Sequence, residues 1–291
     1  MVQKPGVEWP PAHREKFSKN GDREMKKTNF CDKRSWSHNV GKLWLAARRE
    51  HLTASEVKNL IPDYKRIKAG KIKLFNAMQF AKIYGSKMNC EIDTSSFGPM
   101  ARGHIMEPYA VEEYNRINDT DYFPWDDKLI ARGCIAFSPD AIDIPQLPGT
   151  KMIVNRDGDL VDKNGDVNPG PMAILEIKSY EAGTAFQRLS MIGSDDPIEE
   201  RWQIAMAMAV CHSIEIGTVM FYLPQCGLEF SKTYEREELI EEIETIMEIA
   251  EMWNKYAEYM ECLTSSHAKD TVISEDYIYS EYLKVNDALS I

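Results

Sequence analysis

The sequence lacks any closely paired cysteines. Its six, at positions 31, 90, 134, 211, 226 and 262, never form a C-x2-C pair. That spacing argues against a disulfide framework, a zinc site or an iron–sulfur cluster, and for free thiols in a reducing compartment. No apolar run approaches the length that spans a membrane, and the first residues (MVQKPGVEWPPAHREKFSKNG) hold no apolar signal-like core. The expectation is therefore an intracellular chain, neither secreted nor membrane-bound. No repeat of solenoid length is visible either. Overall positive charge is also missing, since 35 Lys and Arg against 46 Asp and Glu leave a net −11.

What is present is a chain of 291 residues with 43% hydrophobic content, enough to bury a full core. Its charge is unevenly distributed. Residues 1–90 hold 20 Lys/Arg against 8 Asp/Glu, a balance of +12, and the remaining 201 residues hold 15 against 38, or −23. A DNA-binding protein needs a local positive surface, not a positive total. A solvated basic face or tail accounts for the same numbers equally well.

Residues 1–38 are polar, with prolines at 5, 10 and 11, and read as an N-terminal extension. From Asn39 to about Leu60 the pattern is helical, with Thr53 and Ser55 placed to cap a helix beginning at Glu56. Residues 97–117 form a second helix candidate. Met106, Ala110, Tyr114 and Ile117 make its apolar stripe, and Glu107 lies beside it. Strand signals follow at 128–137, 141–144 and 172–178. Between them, 151–170 carries the turn pairs Asp157-Gly158 and Asn164-Gly165 and reads as a hairpin insertion. It does not fit a calcium loop, because the glycine comes fourth after Asp162 rather than sixth. A helix at 198–212, strands at 216–223 and 228–234, and a long acidic helix at 235–262 complete the pattern. On that last helix Leu239, Ile243, Ile246, Ile249, Met252, Trp253 and Tyr256 form the buried stripe. The order indicates one α/β (α+β) domain over 39–262, a central mixed sheet flanked by helices, with 263–291 as a C-terminal tail.

The chemistry concentrates in Ser138-Pro139-Asp140 and in Glu176-Ile177-Lys178. Glu176 and Lys178 alternate with apolar neighbours, so both leave the same face of one strand. Two charges on an apolar strand are costly to bury without partners. A metal ion held by Asp140 and Glu176 would be such a partner, and it would be one that favours hard oxygen ligands. Lys178 can then orient or deprotonate a water and stabilise charge developing on a phosphate. Short of that, the triplet is an amphipathic edge strand with a solvated Glu/Lys pair.

Five segments in order give this pattern a context. They are Trp44-x3-Arg48 with Leu52-Thr53-Ala54-Ser55-Glu56-Val57; Gly103-x3-Glu107-Pro108-x-Ala110; Ser138-Pro139-Asp140; Leu175-Glu176-Ile177-Lys178; and Gln203 with Met208 and Val210. The series resembles the PD-(D/E)XK nucleases, and more narrowly the lambda exonuclease and YqaJ-type viral recombinase family. Some nucleases of that superfamily carry a four-cysteine iron–sulfur cluster, which the cysteine spacing here does not match. The chain also departs from the family pattern. Ala141 stands where a glycine follows the Asp, Glu200 where a Tyr precedes the Gln, and the insertion between Asp140 and Glu176 is long.

The resemblance implies roles. Asp140, Glu176 and the backbone carbonyl of Ile177 would coordinate Mg2+, with Mn2+ as a substitute, and Glu107 would reach the metal from its helix. Lys178 would activate water, and Gln203 would position Lys178 and the nucleophile. Arg48, Ser55 and Ser138 would bind a DNA terminal 5′-phosphate, a task suited to a guanidinium fork and small hydroxyls. The activity implied is a 5′-to-3′ exonuclease on double-stranded DNA ends that leaves 3′ overhangs for recombination. It would work as a trimeric ring with a single-strand annealing protein as a partner. A related endonuclease or nickase using the same residues, and a catalytically silent DNA-end-binding module, are the alternatives.

Overall fold

A computed structural model describes residues 50–88, 98–125, 129–143, 153–154, 159–161, 172–179, 199–223, 228–264 and 274–289. Residues 39–291 form one compact unit. The extension read over 1–38, the helical pattern over 39–49, and Arg48 with it, lie outside the described residues.

Helix α1 (Ala54–Lys68) starts two residues earlier than the sequence pattern suggests and runs further, with Thr53 in extended conformation as its N-cap. The Thr53 amide donates to Glu56 Oε2 at 2.8 Å, the return bond of a capping box. Residues 50–53 are not helical, so no single helix spans 39–60. Helix α2 (Ala77–Met88) follows, an element the periodicity does not announce. Helix α3 (Gly98–Asn118) agrees with the expected 97–117. It buries Ala110, Val111 and Tyr114, whereas Ile117 is exposed and leaves the expected stripe.

The chain then forms β1 (Phe123–Pro124), β2 (Ile130–Arg132), β3 (Ile135–Phe137), β4 (Ala141–Asp143), β5 (Ile153–Val154), β6 (Leu160–Val161) and β7 (Met172–Ser179). After helix α4 (Arg201–Val210) come β8 (Ile214–Leu223) and β9 (Leu228–Glu235). The expected strand 128–137 is in fact a hairpin. Gly133 takes φ +57°, which suits a residue without a side chain, and β2 folds back on β3. β5 and β6 pair antiparallel inside the expected hairpin insertion. Ala141 needs no glycine-like turn, because it lies fully buried in β4 opposite Leu175.

The main sheet has the order β1-β4-β7-β8-β9, with β7 and β8 parallel and the remaining pairs antiparallel. α4 bridges the parallel pair, as a crossover between parallel strands requires. The two faces of β7 are covered differently. Leu175 and Ile177 pack with Ala110, Val111 and Tyr114 of α3. Met172 and Ile174 join the larger core with α4. α4 lies very close to the sheet at Gly217, where an added Cβ would come within 2.1 Å of Ile204 Cγ2.

A 3-10 turn (Arg236–Leu239) leads into α5 (Ile240–Thr264), the long acidic helix. Leu239, Ile246, Ile249, Trp253 and Tyr256 are buried as expected, joined by Ala250 and Met260, while Ile243 and Met252 are half-buried. The segment read as a C-terminal tail contains helix α6 (Glu275–Leu289). Its Tyr282 is 1% exposed and stacks on Phe80 of α2 with ring centroids 4.1 Å apart. The tail reading is corrected accordingly over 275–289, where Ile278 and Tyr282 join the core. Among the described residues, no helix is long and apolar enough to cross a membrane.

Candidate active site

β7 sets the centre of the site. Its pleat places Glu176 and Lys178 together, and the Lys178 ammonium donates to Glu176 Oε1 at 2.5 Å. α4 supplies a second donor to the same oxygen, Gln203 Nε2 at 2.7 Å. The close approach at Gly217 makes that reach possible, since Ile204 sits next to Gln203 on the helix. Glu176 therefore accepts two side-chain hydrogen bonds while half-buried, as a carboxylate held in place must.

Asp140 immediately precedes β4, where Ala141 pairs with Leu175 of β7. Its Oδ2 accepts the Ile177 amide at 2.6 Å. Burial pushes the Asp140 carboxyl well above the usual carboxylate range, and the negative charges of Glu176 and Glu107 push it further. Lys178 and the Ile177 N–H act in the opposite direction without offsetting the rise. Three carboxylates from β7, the start of β4 and α3 thus share one electrostatic neighbourhood, opposed by the Lys178 ammonium. A rise caused by like charges and burial often marks a functional site.

Among the described residues, no group of three or more His, Cys, Asp or Glu side chains is gathered to hold a metal by itself. That finding excludes a closed all-protein cage, not a site for Mg2+. Magnesium keeps several waters and takes one or two carboxylates together with substrate phosphate oxygens. The donors present, Asp140 and Glu176 with the carbonyl of Ile177, the residue after Glu176, are hard oxygens and fit such an ion.

Beside Glu176 lies a pocket of about 150 Å³ whose polar lining is Thr53, Ser55, Ser138, Glu176 and Gln203. Its floor includes Ile174 and Ala207, which tie it to β7 and α4. The start of α1 is held here because Leu52 bridges to β3: its amide donates to the Cys134 carbonyl at 2.6 Å, and its carbonyl accepts the Ala136 amide at 2.9 Å. Behind the N-cap Thr53, Ala54 and Ser55 occupy the first turn of α1, where amides lack intrahelical acceptors and anions are favoured. Of the residues proposed from sequence, the structure brings Ser55, Ser138, Glu176 and Gln203 to one cavity. It places Asp140, Glu107 and Lys178 in electrostatic contact beside it. Thr53 was missed as a pocket residue, although its place in the capping pattern two residues before Ser55 was visible.

The mixed sheet with Asp140 beside an E-x-K strand, and acidic and amide side chains brought in from flanking helices, defines a nuclease of the PD-(D/E)XK class. The YqaJ-like viral recombinase domain matches residues 43–213, a span that contains all five sequence segments, and the chain belongs to that family. It is a deoxyribonuclease, with DNA as its substrate. Among solved structures, the alkaline exonuclease (LHK-Exo) of Laribacter hongkongensis aligns with a TM-score of 0.50 at 19% identity, covering 78% of this chain and 100% of that one. The same enzyme in complex with dAMP aligns at 0.49 and 20%, with the same coverage. A phage-related exonuclease from Haemophilus somnus aligns at 0.41 and 12%, over 72% of this chain and 96% of that one. At these identities the likeness concerns the fold. No curated protein sequence matches.

Proposed function

We propose that the chain is a Mg2+-dependent exonuclease that degrades one strand of duplex DNA from a 5′ end, leaving 3′ single-stranded overhangs for recombination. One observation carries this reading: the hydroxyls of Ser55 and Ser138 line the same cavity as Glu176 and Gln203. A seat for a terminal phosphate directly beside the cleavage residues suits an enzyme that starts from an end. The fold relative from Laribacter hongkongensis, named an alkaline exonuclease, is in keeping with it.

In this reading Asp140, Glu176 and the Ile177 carbonyl hold Mg2+ or Mn2+, with Glu107 nearby. The ion when bound would supply Lewis-acid stabilisation of the negative charge developing on the phosphate and make the attacking water more acidic. Lys178, an ammonium held by Glu176, orients the attacking water and stabilises the negative charge developing on the phosphate. Gln203 keeps Glu176 and Lys178 in register through its 2.7 Å bond to Glu176. Ser55, Ser138 and Arg48 bind the 5′-phosphate, which carries more charge and more free oxygens than an internal diester. A trimeric ring around DNA and cooperation with a single-strand annealing protein belong to the same proposal, by family resemblance.

The test is degradation of linear duplex with 5′-phosphate ends, linear duplex with 5′-hydroxyl ends, and closed circles, with Mg2+ and with excess chelator. The expected result is metal-dependent loss of the phosphorylated duplex, slow loss of the hydroxyl form, and intact circles. Arg48→Ala should lower the phosphate-to-hydroxyl rate ratio about ten- to a hundredfold, the scale of one charge-assisted hydrogen bond. Cleavage of circles at a comparable rate makes the enzyme an endonuclease or nickase instead. Absence of cleavage with DNA ends still bound leaves the silent end-binding module.

A further inference from the structure

We propose that Lys87, on α2, is a positioning residue for DNA-end recognition, acting through Glu56 on the turn that presents Ser55 to the pocket. The inference rests on reading that pocket as the seat of the terminal phosphate. Lys87 is an unusual place to find a cation, since its side chain is only 9% exposed and its ammonium lies 2.9 Å from Glu56 Oε2. It also donates to the backbone carbonyl of His51. Glu56 Oε2 accepts the Thr53 amide at 2.8 Å and the Thr53 hydroxyl at 3.0 Å. A single carboxylate oxygen thus ties α2 to Thr53, which is both the N-cap of α1 and a pocket residue.

The direction of the hydroxyl bonds follows. Thr53 commits its proton to Glu56, so in the 3.3 Å contact between Thr53 Oγ1 and Ser55 Oγ the donor is Ser55. At that length the bond is weak, and a phosphate oxygen in the pocket can take the Ser55 proton with little loss. Lys87 makes this arrangement stable by pairing with the Glu56 carboxylate at 2.9 Å and fixing its acceptor oxygen. Without the ammonium, Glu56 would be a half-buried carboxylate without its cation, a costly state that reorganisation of the turn relieves. The Leu52 bridge braces the same turn from the β3 side, and Lys87 braces it from the other side.

The experiment measures initial rates on 5′-phosphorylated and 5′-hydroxyl linear duplexes with the full chain and Mg2+. The variants are Lys87→Met, Lys87→Arg and Glu56→Gln, each checked for folding by thermal melt. The expected result is a drop of about tenfold in the phosphate-to-hydroxyl ratio for Lys87→Met, in line with loss of one charge-assisted contact. The hydroxyl-end rate should change less than the phosphate-end rate, and Lys87→Arg should restore part of the ratio. A merely structural role slows both ends alike, and that result overturns the inference. So does a folded Lys87→Met that keeps the wild-type ratio. If Lys87→Met does not fold, Glu56→Gln carries the same test, because the amide oxygen still accepts from Thr53 while the ion pair is lost. A ratio near one in the wild type overturns the terminal-phosphate reading and this inference with it, whereas a high wild-type ratio unaffected by the variants overturns this inference alone.

Discussion

Lys178 and Asp140 are the residues where local chemistry makes the sharpest demands. Lys178 is bound to Glu176 at 2.5 Å, so its ammonium is fixed beside the carboxylate proposed to hold the metal. Lys178→Ala should leave DNA binding nearly intact and lower the single-turnover cleavage rate by at least about a hundredfold, the range of lost acid–base and electrostatic help. Unchanged chemistry with weakened binding would reduce Lys178 to a phosphate contact. Asp140 has a pH signature. Its carboxyl is raised by burial first and by Glu176 and Glu107 next, so the folded chain holds that proton more tightly than the unfolded one. Its contribution to metal-free stability is full below the ordinary carboxylate range and is lost as pH rises through the raised value. Metal binding requires the ionised form and has the opposite dependence. The thermal shift produced by Mg2+ should therefore be absent in acid and grow with pH, and Asp140→Asn should abolish it. Melting curves with and without Mg2+ between about pH 5 and pH 9 check this, and a shift independent of pH would remove Asp140 from the metal site. These residues were legible in the sequence because strand alternation is local: Glu176 and Lys178 are two residues apart and share a face by geometry alone. Lys87 was not, because Glu56 lies 31 positions away and only the packing of α2 against the start of α1 brings them together.

At the scale of elements, the contact that positions Gln203 is a packing contact between α4 and β8. Gly217 leaves room for Ile204 to sit against the strand, and the helix carrying Gln203 comes down with it. Gly217→Ala puts a methyl 2.1 Å from Ile204 Cγ2. Overpacking of this kind costs about 1–3 kcal/mol, and part of the relief is movement of α4 away from the sheet. The expected outcome is a lower melting temperature together with a lower cleavage rate. In a Gln203→Ala background Gly217→Ala should lower the melting temperature as before but add no further loss of rate. Independent, multiplying losses of rate would mean that Gly217 acts on something other than Gln203. The sequence announced α3, β7, α4 and α5 through their periods, yet it missed three features at this scale. The hairpin at Gly133 was hidden inside an apolar run that reads as one strand. α2 and α6 were missed because they bury their faces against each other: Phe80 finds Tyr282 at 4.1 Å, and Tyr282 also meets Tyr256 of α5 edge-on at 5.8 Å. No local pattern in either helix names a partner so distant in the chain.

At the scale of the whole molecule, the basic and acidic parts of the sequence meet among the described residues. α1, with its basic last turn, packs against acidic α5, and Lys68 pairs with Glu248 at 2.7 Å. Lys58 pairs with Glu199 at 2.7 Å and Lys87 with Glu56 at 2.9 Å, so part of the positive surplus is spent on neighbouring carboxylates. Lys65, Lys71, Lys73 and Lys82 are exposed, and residues 1–49 carry 12 Lys/Arg against 5 Asp/Glu. α1 starts at the pocket and extends about 22 Å from it at the usual rise per residue, which about six base pairs of duplex would span. Lys71 and Lys73, just beyond its far end, are exposed cations that would meet a DNA backbone running along α1 from an end in the pocket. Each phosphate contact releases counterions, so affinity for duplex should fall steeply with salt, with a slope of about 0.9 per contact. Lys71→Glu with Lys73→Glu should flatten that slope by about two contacts' worth and weaken binding equally on unrelated sequences. Glu244→Lys with Glu251→Lys, on the exposed side of α5, should leave it unchanged. Binding isotherms across a range of salt concentrations decide between these outcomes. Equal changes in slope for the two pairs would show that DNA responds only to net charge and that α1 does not lie along its path.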